Sequence, residues 1–212
     1  MPRGRFITFE GGEGAGKSTQ AQRLGVWLKA RNIDVLLTRE PGGSPGAEAI
    51  RQLLVTGDAG RWNALTETLL HFAARNDHVL RTIEPALADR HWVICDRFVD
   101  STVAYQGYGL GVDRAFIAML EKSVLGGLRP DLTLFLDLPV ETGLARAASR
   151  RGGEDRYETM DIAFHERLRH GFHEIAARDP ARCVLIDATE DVDAVQRQVI
   201  GAVVSRLLAP AR

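Results

Sequence analysis

The stretch Gly11-Gly12-Glu13-Gly14-Ala15-Gly16-Lys17-Ser18 matches the pattern GxxxxGK(S/T) without a gap. A short apolar segment, Phe6 to Glu10, precedes it and predicts a strand, and the residues from Ser18 to Ala30 predict a helix. Glycines let the backbone turn tightly enough for successive N–H groups to face one phosphate, and the following helix adds the positive end of its dipole. In this strand-loop-helix context the stretch predicts a phosphate-binding P-loop rather than a glycine-rich turn without a ligand.

The P-loop assigns a role to two side chains in particular. We expect Lys17 to reach the β- and γ-phosphates of a nucleoside triphosphate and the Ser18 hydroxyl to ligate Mg²⁺. The motif alone does not separate kinases from GTPases, motor ATPases or regulatory nucleotide-binding proteins, so the rest of the chain has to decide. The residues expected to contact the triphosphate are Gly11, Gly12, Glu13, Gly14, Ala15, Gly16, Lys17, Ser18 and Thr19.

Charge and cysteine content narrow the range of partners. The 27 basic and 28 acidic residues nearly cancel, so we expect neither a nucleic-acid polymer nor an anionic membrane as partner. Cys95 and Cys183 lie far apart and lack a CxxC partner, which predicts two buried apolar residues rather than a zinc site or a disulfide. The residues from Met1 to Arg5 lead into the first strand without a hydrophobic stretch of signal-peptide length, and we expect a cytoplasmic protein.

Short apolar segments alternate with helical ones along the chain, an order typical of a parallel sheet covered by helices on both faces. The predicted strands are Phe6 to Glu10, Val35 to Thr38, Trp92 to Asp96, Leu132 to Asp137 and Val184 to Asp187. With the P-loop, they predict an α/β fold, a three-layer P-loop NTPase sandwich in which a five-stranded parallel sheet is flanked by helices. No linker-like run divides the 212 residues, so we expect residues 1–212 to form one domain.

Several helices are visible as apolar stripes with a 3.6-residue period. One stripe consists of Phe164, Leu168, Phe172 and Ile175, and another of Val192, Val195, Val199, Val203 and Leu207. A longer helical stretch, from Thr66 to Asp89, is expected to bring Phe72 and Arg75 near the carboxyl edge of the sheet. Pro85 is expected to kink or restart this helix.

A carboxylate and an arginine follow each other at the end of the third predicted strand. We expect Asp96 to hold a magnesium-bound water beside the P-loop, and Arg97 to clamp a second phosphate bidentately. In a doubly wound sheet both side chains emerge at the edge where ligands bind. A surface ion pair is the alternative that local sequence leaves open.

Three further stretches share their order and spacing with a known family. They are Thr38-Arg39-Glu40-Pro41-Gly42-Gly43, Phe72-Ala73-Ala74-Arg75, and Asp96-Arg97 through Tyr105-Gln106-Gly107. Together with the P-loop they resemble the motifs of thymidylate kinases, and the similarity extends from Arg5 to the final helix. The resemblance implies an ATP-dependent nucleoside monophosphate kinase that uses Mg²⁺ to phosphorylate dTMP to dTDP, in dTTP biosynthesis. It also implies a homodimer.

The resemblance further implies how dTMP is held. Arg75 and Arg97 would bind its phosphate, and Glu13 would lie near the sugar 3'-hydroxyl. An aromatic ring would stack on thymine, and either His71 or Phe72 would supply it. The choice stays open, because a helical phenylalanine such as Phe72 is as often a core residue as a base platform. The residues expected to bind dTMP are Glu13, Arg39, Glu40, Pro41, His71, Phe72, Arg75, Arg97, Ser101, Tyr105 and Gln106.

An arginine-rich segment, at about residues 146–157, resembles the lid of the bacterial thymidylate kinases, in which arginines close over ATP. The P-loop has Glu13, Gly14 and Ala15 where some relatives carry a basic residue, so the charge that matches the transferring phosphate would come from this lid. The residues expected to act in catalysis are Lys17, Arg97, Arg150, Arg151 and Arg156, with Arg146 contacting ATP. A solvated basic loop is the alternative, and the sequence does not distinguish which lid arginine is decisive.

Two other functions remain open at this level. One is a kinase for another nucleoside or nucleotide on the same fold, and the other is a non-catalytic P-loop switch, which requires neither paired arginines nor a lid. The loop from Ile186 to Thr189 either borders adenine, by analogy with the family, or leads to a helix N-cap at Thr189 or Asp191.

Overall fold

Five strands form one fully parallel sheet in the computed structural model, which describes residues 3–58, 60–149 and 156–209. The strands are β1 (Phe6–Glu10), β2 (Val35–Arg39), β3 (Trp92–Asp96), β4 (Leu132–Asp137) and β5 (Cys183–Asp187). Their order across the sheet is β2-β3-β1-β4-β5. The predicted α/β sandwich is confirmed. Its strand bounds agree with the prediction except that β2 ends one residue later, at Arg39, and β5 begins one residue earlier, at Cys183.

Helices connect the strands and cover both faces of the sheet. They are α1 (Lys17–Lys29), α2 (Pro45–Val55), α3 (Ala64–His78), α4 (Glu84–Ala88), α5 (Val99–Thr102), α6 (Arg114–Leu125), α7 (Val140–Ala148), α8 (Ile162–Arg178) and α9 (Val192–Val203). Many begin at a side chain that accepts a backbone N–H of the first turn, which satisfies a donor that the helix itself leaves unpaired. Such N-caps are Ser44, Asn63, Asp113, Asp161 and Asp191.

The alternation of side chains along β1 explains why the sheet has helices on both sides. Ile7 and Phe9 point into a core shared with α1 and α9, whereas Phe6 points into a core shared with α3 and α6. All three side chains are fully buried. A third core joins α8 to β4 and β5, and it contains the predicted stripe residues Phe164, Leu168 and Phe172. A strand buried on both faces is therefore apolar at successive positions.

The long helix predicted from Thr66 to Asp89 is helical throughout but changes its form before Pro85. It consists of α3, a π-helical turn at Val79–Ile83, and α4. Pro85 has no N–H to donate to the carbonyl one helical turn earlier, and the wider turn absorbs this loss. Two other π-helical turns, Val103–Gly109 and Val204–Leu208, extend α5 and α9.

Two further expectations concern buried and membrane-spanning residues. Cys95 and Cys183 are both buried free thiols, as expected. Burial raises the pKa of Cys183 to about 12, and the cysteines act as small core residues. No helix in the described ranges is long and apolar enough to cross a membrane.

The strand order places the candidate site. Because β1 lies between β3 and β4, the P-loop after β1, Asp96 at the end of β3 and Asp137 at the end of β4 all lie at the same carboxyl edge.

Candidate active site

The P-loop wraps closely against the chain that follows β4. Gly14 has a φ of +66°, and a Cβ at this position would lie 2.0 Å from the carbonyl oxygen of Gly143 on α7. Only glycine tolerates both the left-handed backbone and this approach. Gly16, with a φ of +87°, is the residue from which α1 starts. The loop therefore presents its backbone at the N-terminus of a helix, where anions bind.

Lys17 is folded back along the P-loop. Its Nζ donates hydrogen bonds to the carbonyl oxygens of Gly11, at 3.1 Å, and Gly12, at 2.6 Å. Burial lowers the pKa of Lys17 to about 8, and the nearby Arg97 guanidinium lowers it as well, against the opposing effect of Glu13. The ammonium group therefore loses its proton more readily than that of a free lysine, and a bound anion would raise its pKa again.

Ser18 and Asp96, the two residues expected to hold Mg²⁺, are in contact. The Ser18 hydroxyl donates a hydrogen bond to the Asp96 carboxylate, and the pairing of β1 with β3 sets Phe9 beside Asp96. No group of three or more histidine, cysteine or acidic residues suited to a metal occurs in the described ranges. A hydroxyl and one carboxylate fit Mg²⁺, which takes few protein ligands and completes its shell with phosphate oxygens and water.

A cavity of about 390 Å³ opens beside the P-loop. Nine residues expected from the sequence to bind the acceptor line it: Glu13, Glu40, Pro41, His71, Arg75, Arg97, Ser101, Tyr105 and Gln106. Further polar residues that sequence reasoning did not assign also line it: Arg51, Thr102, Tyr157 and Glu158. The cavity is rich in cationic and hydrogen-bonding groups, as a site for a phosphorylated ligand should be.

Arg97 joins the cavity to the P-loop. Its backbone is left-handed, with a φ of +69°. One terminal nitrogen, Nη1, donates to the Gly11 carbonyl at 3.1 Å and to Ser101 Oγ at 3.2 Å, and Nη2 donates to Glu13 Oε1 at 2.9 Å. Although burial alone would raise it, the pKa of Glu13 is lowered to about 2 by Arg97 and Lys17. The Tyr105 hydroxyl also donates to Glu13.

Arg75 lies in a different part of the cavity and is only 2% exposed. Its Nε donates to Glu40 at 2.7 Å, and Nη2 donates to the Phe98 carbonyl at 3.3 Å and to Thr102 Oγ1 at 3.0 Å. Nη1 has no hydrogen-bond partner among the described residues. Buried donors are normally paired, so this nitrogen is available to a ligand in the cavity.

The two arginines expected to share one phosphate are thus set apart. Arg97 contacts the P-loop itself, whereas Arg75 contacts Glu40 and Thr102 and has no contact with the loop among its hydrogen bonds. Glu40 neutralises Arg75, and His78 Nδ1 lies 3.0 Å from the other oxygen of that carboxylate. The difference in surroundings indicates different roles for the two guanidinium groups.

The choice between His71 and Phe72 is resolved in position. Phe72 is 2% exposed and packs in the core with Phe6 and Val79, so the expectation that it faces the acceptor is wrong in this structure. His71 lines the cavity. Burial and the Arg75 charge lower the pKa of His71 to about 3, and the imidazole is therefore neutral near pH 7.

Arg156 is placed differently from the lid arginine expected over ATP. Its side chain is 3% exposed and pairs with Glu67, which is 1% exposed. It also donates to the Leu54 carbonyl at 3.0 Å and the Asp58 carbonyl at 3.2 Å. Arg156 therefore forms part of the cavity wall, where groups of α2 and α3 bind its guanidinium. Arg150 and Arg151 lie outside the described residues.

Glu67 gathers several cavity residues around one buried carboxylate. Its Oε1 accepts hydrogen bonds at 2.8 Å from both Gln106 Nε2 and the Tyr157 hydroxyl. That hydroxyl also lies 3.1 Å from His71 Nε2. Sequence reasoning missed Glu67, because a buried glutamate on a helix has no sequence feature that distinguishes it from the exposed glutamates common on helices.

Arg39 lies outside the cavity, and Arg51 is an arginine of this region that lines it. The Arg39 side chain is 54% exposed and pairs with Glu48 outside the cavity. Arg51, on α2, lines the cavity and donates to the Pro41 carbonyl. The sequence feature that could have pointed to Arg51 is its place on α2, the helix that begins at Pro45 shortly after Gly42-Gly43.

The loop after β5 is tied to α7. Arg146 donates to the Ala188 carbonyl at 2.9 Å and to the Thr189 carbonyl at 3.4 Å. Asp191, not Thr189, is the N-cap of α9, so one of the two open expectations for this loop is confirmed.

Comparisons with known proteins agree with this geometry. A family model described as thymidylate kinase matches residues 9–199. The thymidylate kinase of Caulobacter vibrioides is 59% identical over 98% of this chain and 99% of its own length, and that of Bradyrhizobium diazoefficiens is 54% identical over 97% and 91%. A crystal structure of thymidylate kinase from Ehrlichia chaffeensis superposes with a TM-score of 0.78 at 36% identity, covering 94% of this chain and 98% of that one. The chain therefore belongs to the thymidylate kinase family.

Proposed function

We propose that this chain transfers the γ-phosphate of ATP to dTMP, giving ADP and dTDP, as a step of dTTP biosynthesis. The observation that carries the proposal is the position of Arg97. This one guanidinium contacts the P-loop at Gly11 and lines the adjoining cavity. A donor phosphate at the loop and an acceptor phosphate in the cavity would therefore meet across it. Membership of the thymidylate kinase family supports dTMP as the acceptor.

The acceptor would lie with its phosphate toward the P-loop and its base at the other end of the cavity. Arg97 and Arg51 are the cations suited to the phosphate, because Arg97 adjoins the loop and Arg51 lies on the same cavity wall as Pro41. Arg75 would use its unpaired Nη1 on a carbonyl oxygen of the base. His71 would lie against the base, and Glu13 near the sugar 3'-hydroxyl.

ATP would be held by the P-loop from Gly11 to Thr19, with Arg146 near the adenine side through its contacts with the loop after β5. Mg²⁺ would be held by Ser18 and, directly or through water, by Asp96. When bound, the ion supplies positive charge against the triphosphate oxygens. We further propose that the segment at about residues 146–157 acts as the lid, with Arg150 and Arg151 as its catalytic arginines.

The chemistry requires no protein nucleophile. An oxygen of the dTMP phosphate attacks the γ-phosphorus of ATP, the bond from that phosphorus to the β–γ bridging oxygen breaks, and ADP leaves with the electron pair. Catalysis then rests on alignment and on cations that match the charge spread over the transferring group. Lys17 and Arg97 are the described cations nearest the expected path.

We also propose that the chain forms one domain and assembles as a homodimer in the cytoplasm. Leu65 and Leu69, one helical turn apart on α3, are exposed apolar side chains suited to an interface. The two buried, unpaired thiols are consistent with a reducing compartment.

The test is a comparison of acceptors in a steady-state assay with ATP and Mg²⁺. We expect turnover with dTMP to exceed turnover with dUMP, dCMP and thymidine. Replacing Arg97 by Met should lower kcat/KM for dTMP by about a hundredfold, the typical effect of losing one electrostatic contact to the transition state. An exposed arginine elsewhere, changed in Arg31→Met, serves as the control. A preference for thymidine over dTMP would reject the proposal.

A further inference from the structure

The helix α5 carries hydroxyl groups that orient two of the arginines lining the cavity, Arg75 and Arg97. Ser101 Oγ accepts a hydrogen bond from Arg97 at 3.2 Å, and Thr102 Oγ1 accepts one from Arg75 at 3.0 Å. The helix α5 spans Val99 to Thr102, and the π-helical turn Val103–Gly109 continues it without a break. The combined segment is still short, and helices of this length are marginal in water without tertiary contacts. The position of α5 must therefore be set from outside.

One of these outside contacts comes from the centre of the sheet. Glu10, the last residue of β1, is fully buried. Its carboxylate accepts the Phe98 backbone N–H at 2.8 Å and the Ser101 hydroxyl at 2.5 Å. These bonds hold the start of α5 close to the P-loop strand.

The second contact comes from the edge of the sheet, on the side away from the cavity. Arg182, just before β5, binds Asp100 with both terminal nitrogens, at 2.6 and 3.1 Å. The same guanidinium donates to Thr133 Oγ1 at 2.6 Å and to Asp179 at 3.0 Å. The Asp100 and Arg182 side chains are 7% and 11% exposed, so the pair is shielded from water. A bidentate pair of this kind fixes orientation as well as distance.

The pair also balances charge in this part of the core. Glu10 and Glu121 lie close enough to Asp100 for its charge to add to the effect of burial, and together these raise the pKa of Glu10 to about 8 and raise that of Glu121. Asp100 therefore lies within electrostatic range of two other carboxyl groups, and Arg182 supplies the cation paired with it. Removing Arg182 would leave a buried unpaired charge beside Glu10, and Asp100 would move toward solvent with α5 attached.

We propose that the Asp100–Arg182 ion pair positions α5 for acceptor binding, so that Ser101 holds Arg97 in place and Thr102 holds Arg75. Asp100 and Arg182 are positioning residues, because neither lines the cavity. The inference rests on the proposed function, since the acceptor is taken to be dTMP.

The experiment is a double-mutant cycle with Asp100→Leu, Arg182→Leu and the double variant. In each protein the KM for dTMP, the KM for ATP, kcat and the melting temperature are measured. We expect each single variant to raise the KM for dTMP by about tenfold and the KM for ATP by less than about twofold. The double variant should raise the KM for dTMP by about as much as one single variant, rather than by the product of the two increases, because all three proteins lack the same ion pair.

A matched control is Arg129→Leu. Arg129 pairs with Asp179, which Arg182 also contacts, but its side chain is 63% exposed and it does not touch α5. This variant should leave the KM for dTMP unchanged. If Arg182→Leu does not fold, Arg182→Lys and Asp100→Asn, which weaken the bidentate pair with less change of volume, take its place in the cycle.

Three results would overturn the inference. They are single variants that fold with an unchanged KM for dTMP, single variants in which both KM values rise equally, and a double variant whose KM for dTMP rises by the product of the two single increases. A wild-type protein that does not phosphorylate dTMP would instead refute the proposed function. The two failures are therefore distinguishable.

Discussion

Lys17 carries a charge that depends on what occupies the P-loop. Burial lowers its pKa to about 8, so the protein without nucleotide loses this charge as the pH rises through about 8. A bound triphosphate favours the ammonium form and raises that pKa. At pH about 8.5, where a terminal phosphate with a pKa of about 6 is already ionised, ATP binding should therefore take up a proton.

Titration calorimetry in two buffers of different ionisation enthalpy measures this uptake. At pH about 8.5 the observed enthalpy should depend on the buffer, and at pH about 6.5, where Lys17 is already protonated, the dependence on this group should vanish. Changing the exposed lysine at the end of α1, in Lys29→Met, should not alter the uptake. Equal enthalpies in both buffers at the higher pH would contradict the assigned Lys17 environment.

At the scale of single residues, the sequence predicts what a local motif determines. The P-loop residues and the Ser18–Asp96 pair follow from the pattern of the loop and from the strand ends. The separation of Arg75 from Arg97 does not, because it depends on Glu40 and on the Phe98 carbonyl, which reach Arg75 from other elements. The burial of Arg156 against Glu67 is of the same kind.

At the scale of elements, two adjacent residues of α3 have different surroundings. His71 lines the acceptor cavity and Phe72 fills the core beside it. We predict that His71→Ala raises the KM for dTMP while changing stability by less than about 1 kcal/mol. Phe72→Ala should lower the free energy of unfolding by about 3–5 kcal/mol, because it leaves a cavity in a packed core.

Urea unfolding and steady-state kinetics on both variants check this assignment. A large stability loss in His71→Ala, together with a nearly neutral Phe72→Ala, would show that His71 lies in the core and Phe72 in the cavity, opposite to this assignment. The apolar periodicity of the sequence could not decide which of the two residues faces the cavity. Adjacent residues on a helix point about 100° apart, and the apolar pattern of α3 does not fix the rotation of the helix about its axis that finely. The π-helical turn at Val79–Ile83 changes the rotation of the residues that follow it, and no local sequence pattern predicted this turn.

At the scale of the whole molecule, the parallel sheet follows from the sequence because short apolar strands alternate with helices, and parallel strands require such crossovers. The strand order β2-β3-β1-β4-β5 depends on long-range packing, yet it is what brings the P-loop, Asp96 and the acceptor cavity to one edge. Contacts between distant elements, such as the Asp100–Arg182 pair, complete the site.

The most direct measurement is a crystal structure of the protein with dTMP, Mg²⁺ and a non-hydrolysable ATP analogue. The account predicts two nucleotides with their phosphates facing each other between Lys17 and Arg97, and the thymine at the far end against His71 and Arg75. A dTMP molecule in the opposite direction, with its phosphate on Arg75 and its base toward the P-loop, would contradict it, as would a single nucleotide pocket.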